Sequence, residues 1–165
     1  MVRINRRGFT LTEAMMTVAI TGILATVGAS VLVQVNRYYI LTRTRAELQR
    51  ESRAIMYVVT RALHQAQYSS IVVDRADNTQ PFCSRLTFTK LQGDTLTFQQ
   101  VGKEFQLVEN GGTRVMSKNV RYLAFTFPRT DDMTIMSVSM TLEALIYEGR
   151  TKALHMASER VRVMN

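Results

Sequence analysis

At 165 residues the chain suits one domain of modest size, and an apolar run near its start removes part of that length from any soluble core. Its formal net charge of +8 is concentrated: Arg3, Arg6 and Arg7 precede the apolar run, six arginines stand against Glu47 and Glu51 between Arg37 and Tyr68, and the remainder is nearly balanced. The single cysteine, Cys83, excludes an internal disulfide, and neither it nor His64 or His155 has companions at metal-ligand spacing, so the sequence offers no catalytic constellation and no cofactor site.

Arg3, Arg6 and Arg7 form the positive-inside flank of a membrane segment, which keeps the leader in the cytoplasm. From Ala14 to Asn36 no residue is charged. That run is long enough for a helix across a hydrocarbon core of about 30 Å at about 1.5 Å per residue. Thr17, Thr21, Gly22, Thr26, Gly28 and Ser30 moderate its hydrophobicity and offer small surfaces for another helix. Glu13 is the odd member, a carboxylate at the threshold of the apolar run. As a secretory signal the segment has "VGA" before Ser30 as a loose cleavage site, but Glu13 and the helical pattern running through the supposed cut oppose that reading. As a plain uncleaved anchor it tolerates Glu13, because a carboxylate near the end of a span reaches the interface.

The helical pattern continues through "NRYYILTRTRAELQRESRAIMYVVTRALHQAQ", which contains neither Pro nor Gly. Leu41, Leu48, Ile55, Val59, Ala62 and Ala66 recur on one face, with Ser52 as a polar interruption. Arg43, Arg45, Arg50, Arg53 and Arg61 mostly lie off that face, and Glu47 and Glu51 stand within pairing distance of arginines three or four residues away. Phe9 to about Tyr68 is therefore expected to be one helix of roughly 90 Å. A basic stripe just beyond a membrane suits anionic headgroups or acidic faces of neighbouring subunits. No reading motif or aromatic-interleaved basic cluster accompanies it, which argues against nucleic acid as a partner.

After Tyr68 the period changes to two. "SSIVVD", "SRLTFTK", "TLTFQQV", "EFQLVE", "VRYLAFTF" and "TIMSVSMTLEA" have the alternation of short strands. Turn signals at "QGD", "VGK", "NGG" and "PRTDD" favour antiparallel hairpins. "GRTKALHMASERVRVMN" is ambiguous over Thr151 to Ser158, and "RVRVM" alternates well enough for a last strand. Asp131, Asp132 and Asn110 are oxygen donors in loops, but without a ligand count or spacing for calcium they are better read as solvated turn residues.

"RRGFTLTEAMMTVAITGILA" resembles the class III signal of type IV prepilins and pseudopilins, with Arg7, Gly8, Phe9, Thr10, Leu11 and Glu13 at that family's spacing. The likeness is tight over about the first thirty residues; beyond them it rests on architecture alone. It implies an α+β, pilin-like fold: a long N-terminal helix packed on an antiparallel sheet. It divides the chain into a cleaved leader (1–8), a transmembrane and assembly helix (9–36), an amphipathic spine (37–68) and a sheet head (69–165).

The resemblance also implies that a prepilin peptidase cuts between Gly8 and Phe9 and that the new amino terminus of Phe9 is methylated. Gly8, with no side chain, lets a protease grip extended backbone. Glu13 is then the registry residue, paired with the N-terminal ammonium of a neighbour in the filament's apolar core, where a wrong stagger strands both charges. The matching place for the helix-breaking proline of many major pilins is Ser30, and their paired C-terminal cysteines are missing. Both omissions favour a minor subunit, most like the pilin W and pseudopilin J group, that initiates or caps a type IV pilus or a type II secretion pseudopilus. The implied partners are other subunits, the peptidase, an inner-membrane assembly platform and lipid, with the head on the periplasmic or extracytoplasmic side of the inner membrane. The alternatives are a DNA-uptake or adhesion tip subunit, or a bitopic protein with an extracytoplasmic binding module.

Overall fold

A computed structural model describes residues 8–147 and 151–163. Arg3, Arg6 and Arg7 of the leader lie outside the described residues. One helix, α1, spans Leu11–Leu63, and the chain divides into two compact units that part between Ile40 and Leu41.

In the first unit every residue from Gly8 to Tyr39 is exposed. Its part of α1 is long and apolar enough to cross a membrane. The hydroxyls that interrupt the apolar run turn back onto their own helix: Thr21 Oγ1 donates to the Thr17 carbonyl at 2.7 Å, Thr26 Oγ1 to Gly22 at 2.6 Å and Ser30 Oγ to Val27 at 2.8 Å. Each polar atom is thereby satisfied without water, the condition for residence in hydrocarbon.

In the second unit α1 buries one stripe, Leu48, Ser52, Ile55, Met56, Val59, Ala62 and Leu63. This is the face expected from periodicity, widened by Met56 and Leu63. Glu47 pairs with Arg43 at 3.1 Å, as spacing four allows. Among the described residues Glu51 takes no arginine; it accepts a hydrogen bond from Asn119 Nδ2 at 3.1 Å, a partner remote in sequence.

The helix stops at Leu63 rather than near Tyr68. Gln65 and Ala66 donate to Ala62 and Leu63, tightening the last turn, and the sheet then claims the backbone: Gln67 N–H donates to Thr89 O at 2.9 Å and Leu91 N–H to Gln65 O at 3.0 Å. A short 3₁₀ turn follows at Tyr68–Ser70. Helical propensity continues past Leu63, but tertiary hydrogen bonds override it.

Among the described residues eight antiparallel strands follow: β1 Val72–Asp74, β2 Arg85–Thr89, β3 Thr95–Val101, β4 Glu104–Glu109, β5 Gly112–Ser117, β6 Val120–Thr126, β7 Ile135–Tyr147 and β8 Thr151–Arg162. They form two sheets, ordered β1-β2-β3-β4-β5 and β6-β7-β8. The fold is α+β, with one long N-terminal helix packed against antiparallel sheet. Alternation sets the register: Leu86 opposes Phe98, and Phe98 opposes Leu107, so apolar residues share the covered face. Phe88, Phe98 and Phe105 are fully buried, with ring centroids 6.2 Å and 5.7 Å apart along the row. The ambiguous C-terminal stretch is one strand, β8, paired with β7 along its length.

β5 was not expected as a strand. Its start follows a tight turn in which Asn110 (φ 51°) and Gly111 (φ 79°) both adopt the left-handed region, the geometry that Asn-Gly favours in two-residue hairpins. The turn signal was visible, but Gly112 to Val115 are exposed, so no alternation marks the strand.

Candidate functional site

The site begins where α1 begins. Gly8, Phe9 and Thr10 precede the helix and are exposed, Phe9 at 80 % and Leu11 at 80 %. Arg7, the remaining residue of the recognition motif, lies outside the described residues. A Cβ built on Gly8 meets nothing within 4 Å. The single chain therefore places no steric demand for glycine at that position, and any such demand comes from whatever grips the segment.

Thr10 is the N-cap. Its carbonyl accepts the first helical bond, from Ala14 N–H at 3.1 Å, and Glu13 N–H donates to Thr10 Oγ1 at 3.3 Å. In return Glu13 Oε2 accepts from Thr10 N–H at 3.1 Å and from Thr10 Oγ1–H at 3.0 Å. This reciprocal pair is a capping box, which satisfies donors that the first helical turn leaves without partners. A carboxylate here also lies at the positive end of the helix dipole. The structure thus brings Thr10 and Glu13 into direct contact and leaves Phe9 and Leu11 projecting without intrachain cover. The sequence pattern Thr-x-x-Glu ahead of an apolar run is the signal that carries this contact.

On α1 just beyond this start, Thr17, Val18, Thr21, Gly22 and Ala25 line a shallow groove. Gly22, like Gly8, has no atom within 4 Å of a built Cβ. The loop oxygen donors Asn110, Asp131 and Asp132 are scattered. Asn110 sits in the β4–β5 turn, whereas Asp131 pairs with Arg129 at 2.8 Å and Asp132 accepts from Thr134 N–H at 3.0 Å, both between β6 and β7. Among the described residues no group of three or more His, Cys, Asp or Glu side chains is placed to hold a metal ion. Cys83 is half-buried at a positive φ of 64°, and His155 lies on β8 opposite Leu142.

What this geometry offers chemically is an accessible peptide bond between Gly8 and Phe9, followed by a carboxylate held one turn into an apolar helix. Residues 3–29 match the family described as the prokaryotic N-terminal methylation motif, a motif typical of type IV prepilins and pseudopilins. Neither the curated proteins nor the solved structures compared with the chain include a match.

Proposed function

We propose that the chain is a prepilin-type subunit, a minor pilin or minor pseudopilin that is held in the inner membrane by α1 and assembled into a type IV pilus or a type II secretion pseudopilus. The observation that carries this reading is the exposed Gly8-Phe9-Thr10 segment set immediately before an apolar helix whose first turn holds Glu13, within the matched motif.

On this reading cleavage of the Gly8–Phe9 bond leaves an ammonium on Phe9, one residue ahead of the N-cap, and methylation of that amine retains its charge. The leader stays behind while α1 stays in the membrane. Glu13 is satisfied locally by Thr10 before assembly. In the filament's apolar interior it exchanges that cap for a neighbour's Phe9 ammonium. An unpaired charge there is strongly unfavourable, so the pair discriminates against a wrong stagger even where its net contribution to stability is small. The capping box thereby keeps the carboxylate hydrogen-bonded in the waiting subunit. Other subunits, the peptidase, an assembly platform and lipid are the partners, and the head stands on the far side of the membrane.

The N-terminal sequence and intact mass of the mature protein test this reading. A start at Phe9 carrying one added methyl group is expected; a start at Met1 or Ser30 overturns it. Replacing Glu13 with Ala separates registry from anchoring: membrane insertion should persist while filament yield collapses. Undiminished filament yield in Glu13→Ala would remove the registry role.

A further inference from the structure

We propose that the solvent-facing stripe of α1 in the second unit docks an acidic helix belonging to a different subunit, an inference that rests on the assembly reading above and names its partner. At about 100° per residue, Arg50, Tyr57 and Arg61 fall on nearly one line, with Arg53 beside it. All four are exposed, Tyr57 at 66 %, while Ile55 and Val59 on the opposite side are buried. Arg50, Arg53 and Arg61 hold no ion pair or side-chain hydrogen bond among the described residues, in contrast to Arg43 with its Glu47. No acidic residue occurs between Glu51 and Asp74 to relieve them.

A line of charges of one sign along about 16 Å of rigid helix calls for a partner of opposite sign with the same repeat. Ala46 and Ala54 are exposed on this side, and their small side chains leave room for a second helix axis at the usual 8–10 Å. Beside them Tyr57 and Arg61 border a groove with Leu96 and Leu107 in its wall, where apolar side chains of such a helix find cover. A nucleic acid would use the arginines and Tyr57 but not the alanine gaps.

A second copy of this chain does not fit. Among the described residues its helical carboxylates beyond the membrane run are engaged, Glu47 with Arg43 and Glu51 with Asn119, as are Asp74 with Arg85, Glu109 with Lys90, and Glu143 with Arg121 and Lys152. Of the described carboxylates only Asp94 and Glu159 hold neither ion pair nor side-chain hydrogen bond, and they sit apart, one before β3 and one on β8. No described segment of this chain offers a free acidic line with that repeat, and the proposal therefore assigns it to another sequence.

The test places a photo-crosslinking residue at position 57 of the full-length chain in its native membrane, alone and in an R50E/R53E/R61E background, with the mature N terminus sequenced from the same sample. The expected product is an adduct with a different membrane-anchored protein, cross-linked on a helix with carboxylates spaced three or four residues apart. Its yield should fall at least about tenfold in the triple variant and decline with salt. An adduct with a second copy, with nucleic acid or with lipid alone, or a yield indifferent to the three reversals, overturns the proposal. A Phe9 terminus without any adduct refutes the docking face while leaving the assembly reading intact, whereas a Met1 terminus refutes the assembly reading itself. Head melting in the triple variant should match the parent, since these side chains cover no core, and a large loss would mark them as structural and overturn the docking role.

Discussion

The two units use apolar residues in opposite ways although one helix feeds both. Between Gly8 and Tyr39 side chains such as Ile23 and Leu24 stand exposed at 66 % and 65 %, with nothing among the described residues to cover them. From Leu41 onward the same helix contributes Leu48, Ile55 and Val59 to a core shared with Phe88, Phe98 and Phe105, all of them 2 % exposed or less. Hydroxyls divide likewise: Thr26 closes onto its own helix, while Ser52 is buried in the packed face. The second unit carries its own solvent-excluded interior. The first presents an apolar surface long enough to cross a membrane, which on the proposed reading meets lipid before assembly and other helices after it, and the difference can be broken experimentally.

The largest effect belongs to the core. Phe98→Ala removes a fully buried ring stacked 5.7 Å from Phe105, and the head should lose about 3–5 kcal/mol. Thermal melting of the full chain in detergent micelles reads this loss, with Leu24→Ala as the matched truncation in the first unit. Head melting should be unchanged in Leu24→Ala. Equal losses in both variants would show that the units are one cooperative body.

Next in size is the cap. Thr10→Ala deletes the hydroxyl that bonds both the backbone and the carboxylate of Glu13, and the first turn of α1 should weaken by about 1 kcal/mol. Amide hydrogen exchange at Glu13 and Ala14 measures it, with Thr10→Ser restoring protection. If exchange there is unaffected by Thr10→Ala, the capping box does not hold the helix start.

A smaller effect is expected at Glu143 on β7. Lys152 at 2.7 Å and Arg121 at 3.0 Å hold its carboxyl below the ordinary glutamate range, with Lys152 the larger cause. A carboxylate whose pKa is depressed in the folded state adds stability above the unfolded value, and that contribution fades as pH falls through the folded value. Glu143→Gln should therefore lower the melting temperature at neutral pH and converge with the parent under acid conditions. A constant offset from neutral to strongly acid pH would contradict this origin. The first unit should be indifferent at every pH.

How much of this was legible follows from how local each cause is. The α+β order, the buried stripe Leu48-Ile55-Val59 and the strands β3 and β4 come from periodicity, which is a short-range property of sequence. The end of α1 at Leu63 was not legible, because Gln67 and Leu91 are bound through strand β2 and its turn, remote partners that no local pattern names. β5 escaped for a different reason: with residues on both its faces exposed, burial imposes no alternation. The division of the strands into two sheets is likewise set by tertiary packing. At the candidate site the motif residues were legible individually, but the contact between Thr10 and Glu13 required reading them as one capping unit. That Arg50, Arg53 and Arg61 hold no ion pair among the described residues required knowing which partner each described carboxylate takes.

The smallest expected effect on the head carries the most information about the proposed assembly. Gly22 lies in regular helix with no atom within 4 Å of a built Cβ, so neither backbone conformation nor intrachain packing calls for glycine. On helix propensity alone Gly22→Ala favours α1 locally by about 1 kcal/mol. Head melting and membrane insertion should be unchanged. If the groove of Thr17, Thr21 and Ala25 receives a neighbouring helix, the added methyl intrudes where backbones approach, and filament yield should fall despite a subunit that is no less stable. The two readouts then separate what the chain needs to fold from what it needs to assemble. Equal filament yields in parent and variant would instead assign this groove to lipid and confine the first unit's assembly chemistry to the segment from Gly8 to Glu13.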